Sequence, residues 1–161
     1  KSFTYGAYSG VAAGKEPGSF GAEASVRTEV TAPSLQEFFY ELSRIRNLKV
    51  TDKELNEAKK YLTGSFQLGL ETQGGLAQRL LEGQLYDLPR DYLETYTDKI
   101  MTVSADDVRK VARKHIDLGH IAITVVGDAK VIKPELQIFG PVDVYDVSGK
   151  VSSEAKSENP G

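Results

Sequence analysis

The sequence predicts an α+β domain, a largely antiparallel sheet with helices against one side. Three observations carry this. Two alternating runs near the start are joined by a turn-rich stretch, helical stripes fill the middle, and strongly β-prone residues return near Ile121.

Phe3, Tyr5, Ala7, Ser9 and Val11 alternate with Thr4, Gly6, Tyr8 and Gly10, the period-two pattern of a strand. Gly14-Lys15-Glu16-Pro17-Gly18 follows as a turn. Phe20, Ala22, Ala24 and Val26 then make a second strand opposite Glu23, Ser25 and Arg27. The pair forms a β-hairpin, and its small side chains predict helices close to one face.

Thr31 reads as an N-cap with Pro33 in the first turn. Leu35, Phe38, Phe39, Leu42 and Ile45 make the buried stripe of that helix. The stretch from Val50 to Thr72 organises the rest. Thr51 and Glu54 form a capping box, and Leu55, Ala58, Leu62 and Phe66 recur at helical spacing opposite Lys53, Glu57, Lys59 and Lys60. Gly64 and Gly69 each cost a helix about 1 kcal/mol relative to Ala, which predicts close packing there, against the sheet. Leu76, Leu80, Leu81, Leu85 and Leu88 mark a buried third helix stopped by Pro89, and Tyr92, Leu93, Tyr96 and Ile100 a shorter fourth. Ser104 with Asp107 caps a fifth, burying Val108, Val111, Ala112 and His115. Ile121–Val126 reads as a central strand closed by Gly127-Asp128. A looser region holds Pro134, Leu136 and Phe139, and Val142, Val144 and Val147 read as an edge strand. Residues 1–150 form the domain, and 151–161 form a tail with almost nothing to bury, expected to be disordered.

With 161 residues and 40% hydrophobic content, a single domain with a sizeable core is expected. The net charge of −3 argues against nucleic acid or an anionic membrane as main partner. No apolar run approaches the ~20 residues of a membrane span. The abrupt, strand-like opening at Lys1 reads as a piece whose N-terminus lies elsewhere. Cysteine is absent, which removes disulfides, thiolate metal sites and a thiol nucleophile.

His115 and His120 are the only histidines, and a separation of five keeps them off one helix face, so a structural role is expected. Gly74-Gly75 lacks the Lys-Ser/Thr and preceding strand of a phosphate loop; packing or hinge glycines fit better. No serine has a visible His-Asp arrangement. The opening KSFTYGAY superficially matches the aromatic strand of an RNA-recognition motif, but Ser2 stands where glycine belongs and the chain is acidic. From its residues alone, the sequence is a domain without a self-contained active site.

Several short motifs in order resemble the insulinase/pitrilysin-type zinc peptidases, in the branch containing mitochondrial processing peptidase. They are Phe3-Thr4-Tyr5-Gly6-Ala7-Tyr8-Ser9, Val26-Arg27-Thr28-Glu29-Val30-Thr31, Glu54-Leu55 through Ser65-Phe66 and Leu70-Glu71-Thr72. Leu85-Tyr86-Asp87-Leu88-Pro89, Asp91-Tyr92-Leu93 and Val125-Val126-Gly127-Asp128 continue the series, which reaches to about Gly149. The resemblance implies repeated α+β domains paired as two halves closing around a chamber. In the family an H-x-x-E-H helix of the N-terminal half, with a downstream Glu, binds zinc, and the motif's Glu is general base for the zinc-bound water. This chain has no H-x-x-E-H and resembles the other, metal-free half. No cofactor is therefore expected in this chain, and zinc belongs to the N-terminal half. The family's metal-free half supplies an Arg and, seven residues on, a Tyr that contact substrate. Tyr5 aligns with that Tyr, and the Arg position precedes Lys1. The expected function is the C-terminal domain of a zinc-dependent metalloendopeptidase, not catalytic alone, whose partners are the zinc-binding half or a subunit and a peptide substrate. The alternative is a non-catalytic subunit or scaffold of the same family. Relatives suggest a bacterial cell envelope or periplasm, with the compartment itself left open.

Overall fold

The computed structural model describes residues 4–12, 14 and 18–151, with the side chain of Tyr5 outside the description. Two strands, β1 (Thr4–Ala12) and β2 (Ser19–Val26), pair as an antiparallel hairpin. A 3-10 turn (Thr28–Val30) then leads into six helices: α1 (Thr31–Asn47), α2 (Asp52–Leu70), α3 (Gln73–Leu85), α4 (Tyr92–Thr102), α5 (Ala105–His115) and α6 (Ala129–Leu136). The mixed α and β character is as the sequence predicts.

The described residues fall into two compact units, one drawing on 4–8, 23–39 and 122–151, the other on 9–12, 14, 18–22 and 40–121. In the first, the buried side chains are Thr31, Ala32, Ser34, Ile132 and Leu136. Phe39 stacks on Phe139 with centroids 5.7 Å apart, and α6 packs on the 3-10 turn. Thr31 is not an N-cap. The 3-10 turn runs straight into α1, and the Thr31 hydroxyl donates to the Thr28 carbonyl at 2.9 Å. Ser34 likewise donates to Val30 O at 2.6 Å.

The looser region after Gly127 is helical. Asp128 caps α6 by accepting from Lys130 N at 3.0 Å, and Ile132 and Leu136 bury one face. Pro134 sits between them and removes one helical bond, a cost of about 3 kcal/mol or more. Burying two aliphatic side chains contributes roughly 1.5–3 kcal/mol each, enough to hold the turn.

In the second unit α2 packs on α3 and α4. Phe66 is buried, stacked on Tyr96 at 4.0 Å between centroids and edge-on to Tyr92 at 6.3 Å. Arg79 lies over the same ring at 5.6 Å. Both predicted capping boxes form, Thr51 with Glu54 and Ser104 with Asp107. Of the α2 stripe, Leu55 is half-buried and Phe66 buried, whereas Ala58 and Leu62 are exposed. Lys59, assigned by pattern to the solvent side, is half-buried and donates to Met101 O at 2.8 Å.

Four sequence expectations change. A Cβ at Gly64 or Gly69 would meet open space among the described residues, so neither marks close packing. The close approach is at Gly75, where a Cβ would overlap the Gly69 carbonyl and stand 2.8 Å from Thr72 Oγ1. The α3 leucines are not buried: Leu76, Leu80, Leu81 and Leu85 are 41–60% exposed. Pro89 does not end that helix either. Asp87 adopts φ 51°, and Leu88 N donates to Gly83 O at 2.9 Å with Tyr86 as C-cap, which is a Schellman ending. On α5 only Ala112 is buried; Val108 is half-buried, and Val111 and His115 are exposed.

The two later strands also differ from expectation. Ile121–Val126 joins no ladder among the described residues, where the sheet has two strands. The valine-rich segment after Val142 is a turn closed by a single antiparallel bridge from Tyr145 to Val151. Asp146 Oδ1 accepts from Ser148 N and Lys150 N there, and Gly149 supplies φ 78°. Of the predicted tail, 152–161 lies outside the described residues.

Candidate functional site

The candidate contact residue Tyr5 is the second residue of β1. Its neighbours set the local register. Thr4 Oγ1 bonds across the hairpin to Ser25 O at 2.6 Å and accepts from Gly6 N at 3.1 Å. Gly6 leaves room for the Tyr8 ring two residues on, since a Cβ at Gly6 would stand 3.1 Å from Tyr8 Oη. Tyr8 itself is exposed. The strand backbone at Tyr5 is therefore pinned on both sides by bonds of Thr4 and by the glycine at position 6.

The other candidates are placed by local bonds. His120 Nδ1 lies 2.7 Å from Asp117 Oδ2, and this contact, with a bond from Gly119 N, holds the Asp117 carboxyl below its usual range. His115 lies in the last turn of α5 with Arg113 and Lys114, where positive charge complements the helix dipole. Among the described residues no three His, Asp or Glu side chains gather as a metal site. Ser104 bonds Asp107 rather than a histidine, which keeps the Asp107 carboxyl low. Gly75 is a packing glycine, as one of the two sequence readings held, at the start of a helix whose cap is Thr72 Oγ1 accepting from Gly75 N at 3.0 Å.

The strongest electrostatic feature joins α1 to α2. Arg44 contacts Glu41 at 2.8 Å and Glu54 at 2.9 Å. Glu54 also accepts from Thr51 N at 2.8 Å, and its pKa is held down to about 2, first by that backbone bond and then by Arg44. This is a structural clamp, not a proton-transfer group: a carboxyl so stabilised as an anion is a poor acid or base near neutrality. Sequence reasoning found the capping box because both partners are three residues apart. It had no signal for Arg44, ten residues from Glu54.

Against this geometry, the first 62 residues match the family described as Peptidase M16 inactive domain. The chain is similar to that inactive domain. Beyond the match, it is 29% identical over 142 residues, or 88% of its length, to an uncharacterized zinc protease of Streptomyces coelicolor, of which it spans 28%. Its fold follows a crystal structure of a peptidase M16 inactive domain from Pseudomonas fluorescens, with TM-score 0.61 and 29% identity over 71% of this chain and 27% of that one. The chain thus spans about a quarter of each of these two relatives.

Proposed function

We propose that this chain is the metal-free C-terminal domain of a zinc-dependent metalloendopeptidase, in the branch containing mitochondrial processing peptidase. It forms the wall of a chamber opposite a zinc site carried by an N-terminal half, and its first strand, with Tyr5, helps to hold peptide substrate. The observation that carries this reading is the match of residues 1–62 to the M16 inactive domain in a chain that lacks the H-x-x-E-H signature. The exposed leucines of α3 support it as well, because a large apolar surface marks a place where another protein element packs.

The test compares the parent protein with the 161-residue chain after dialysis against metal-free buffer. The parent should hold one zinc and cleave unstructured peptides, while the chain alone should hold only traces of metal and cleave nothing. One tightly held zinc in the chain alone would overturn the assignment to the metal-free half. A folded parent that neither binds zinc nor cleaves would make the protein a scaffold.

A further inference from the structure

The chain is acidic overall, yet the later turns of α5 are not. Arg109 with Arg113, and Lys110 with Lys114, form two rows of cations spaced four residues apart. Arg46 in the last turn of α1 and Lys49 just beyond it add two more. Arg113 Nε donates to Arg46 O at 2.8 Å, and Lys49 Nζ lies 2.6 Å from Asp106 Oδ2. Asp106 is shared between Lys49 and Arg109, and Asp107 is occupied by the cap on Ser104. Six basic side chains thus meet three acidic ones, Asp106, Asp107 and, near Arg46, Asp117. Among the described residues neither Lys110 nor Lys114 lies within ion-pair distance of a carboxylate. An open depression of about 360 Å³ is lined by Asp106, Arg109, Lys110 and Arg113.

We propose that this face of α5 binds an extended acidic segment of a second polypeptide, with carboxylates at alternate positions meeting the two rows of cations. Four residues of helix advance about 6 Å, and two residues of an extended chain advance about 6.6 Å. Alternate carboxylates therefore keep step with Arg109 and Arg113 on one row and with Lys110 and Lys114 on the other. Guanidinium groups donate to carboxylates in a fork geometry that suits this pairing. Asp106 inside the depression limits the excess of positive charge, which suits a short run of separate carboxylates better than the continuous charge of a nucleic acid. The proposal does not depend on the peptidase reading, because it rests on charge placement alone.

The experiment is a fluorescence anisotropy titration of the chain with a short labelled peptide alternating glutamate and serine. A peptide with glutamine in place of glutamate and a short single-stranded oligonucleotide serve as comparisons. The glutamate peptide should bind, the glutamine peptide should not, and raising salt from about 50 to about 200 mM should weaken the complex. Lys110→Ala together with Lys114→Ala should lower affinity roughly fivefold to tenfold, the sum of exposed pairs, with an unchanged melting temperature. Equal binding of both peptides, tighter binding of the oligonucleotide, or an unaltered affinity in the double variant would overturn the proposal.

Discussion

Arg44 Nη2 lies 2.9 Å from Glu54 Oε1, so one carboxylate both closes the capping box of α2 and ties that helix to the last turns of α1. Both jobs require the anion. The folded-state pKa of Glu54 is about 2, below that of an ordinary glutamate near 4.3. The sign follows from linkage: a depressed carboxyl contributes stability above its unfolded pKa and loses it as pH falls through the folded value. Melting temperatures of wild type and Glu54→Gln, measured from neutral pH to pH ~2, should differ most above pH ~4.5 and converge toward the acid end. A gap that stays constant across that range would show that the charge of Glu54 does not matter.

The glycines of α2 and α3 should respond oppositely to alanine. Gly64 lies inside α2 with open space where a Cβ would go, so Gly64→Ala should stabilise by roughly 0.5–1 kcal/mol. Gly75→Ala forces a methyl against the Gly69 carbonyl and should destabilise by about 1–3 kcal/mol. Urea unfolding of the two variants measures both. The same sign for both would contradict the packing described.

Phe66 is the largest buried side chain of its unit, held between Tyr92, Tyr96 and Arg79. Phe66→Ala should cost roughly 3–5 kcal/mol, and Phe66→Leu distinctly less. Chemical denaturation of both variants is the check; a loss below about 1 kcal/mol for the alanine variant would mean the aromatic cluster is not a core.

For Tyr5, the expected effect is on turnover. On the proposed function, Tyr5→Phe in the full-length protein keeps the ring and removes one hydroxyl, so folding should be nearly unchanged. If that hydroxyl donates to the developing oxyanion, kcat should fall on the order of 10²-fold. A rise in KM with kcat intact would place the contact in the ground state instead. Steady-state kinetics with one peptide, beside a melting curve, distinguish these, and no change in any of them would leave Tyr5 a strand residue only.

Where partners lie close in sequence, the fold was legible. Thr51 with Glu54 and Ser104 with Asp107 are caps written in four residues each, and both formed. The hairpin and the stripes of α1 and α4 followed from periodicity. Asp128 carried the same kind of signal, but Pro134 reads as a breaker, and only the burial of Ile132 and Leu136 shows why the helix survives it. The α3 leucines show the limit of periodicity: it identifies a face without saying what covers it. Ile121–Val126 failed differently, because β-propensity records fit to neighbouring strands, and pairing is decided far away in the chain. For the candidate site, the alignment of Tyr5 came from motif order, while the Arg44–Glu54 clamp and the Gly75 approach needed three dimensions.

The β-prone run Ile-Ala-Ile-Thr-Val-Val has a further consequence for handling the protein. It carries no charge, no proline and no glycine, and its amides and carbonyls join no ladder among the described residues. Such a segment is a template for copies of itself, since stacking in register satisfies every backbone group at once. Self-assembly should then grow as concentration rises, visible as light scattering that Thr124→Lys suppresses. Residues of the kind that fill a sheet interior would here set the solubility of the chain.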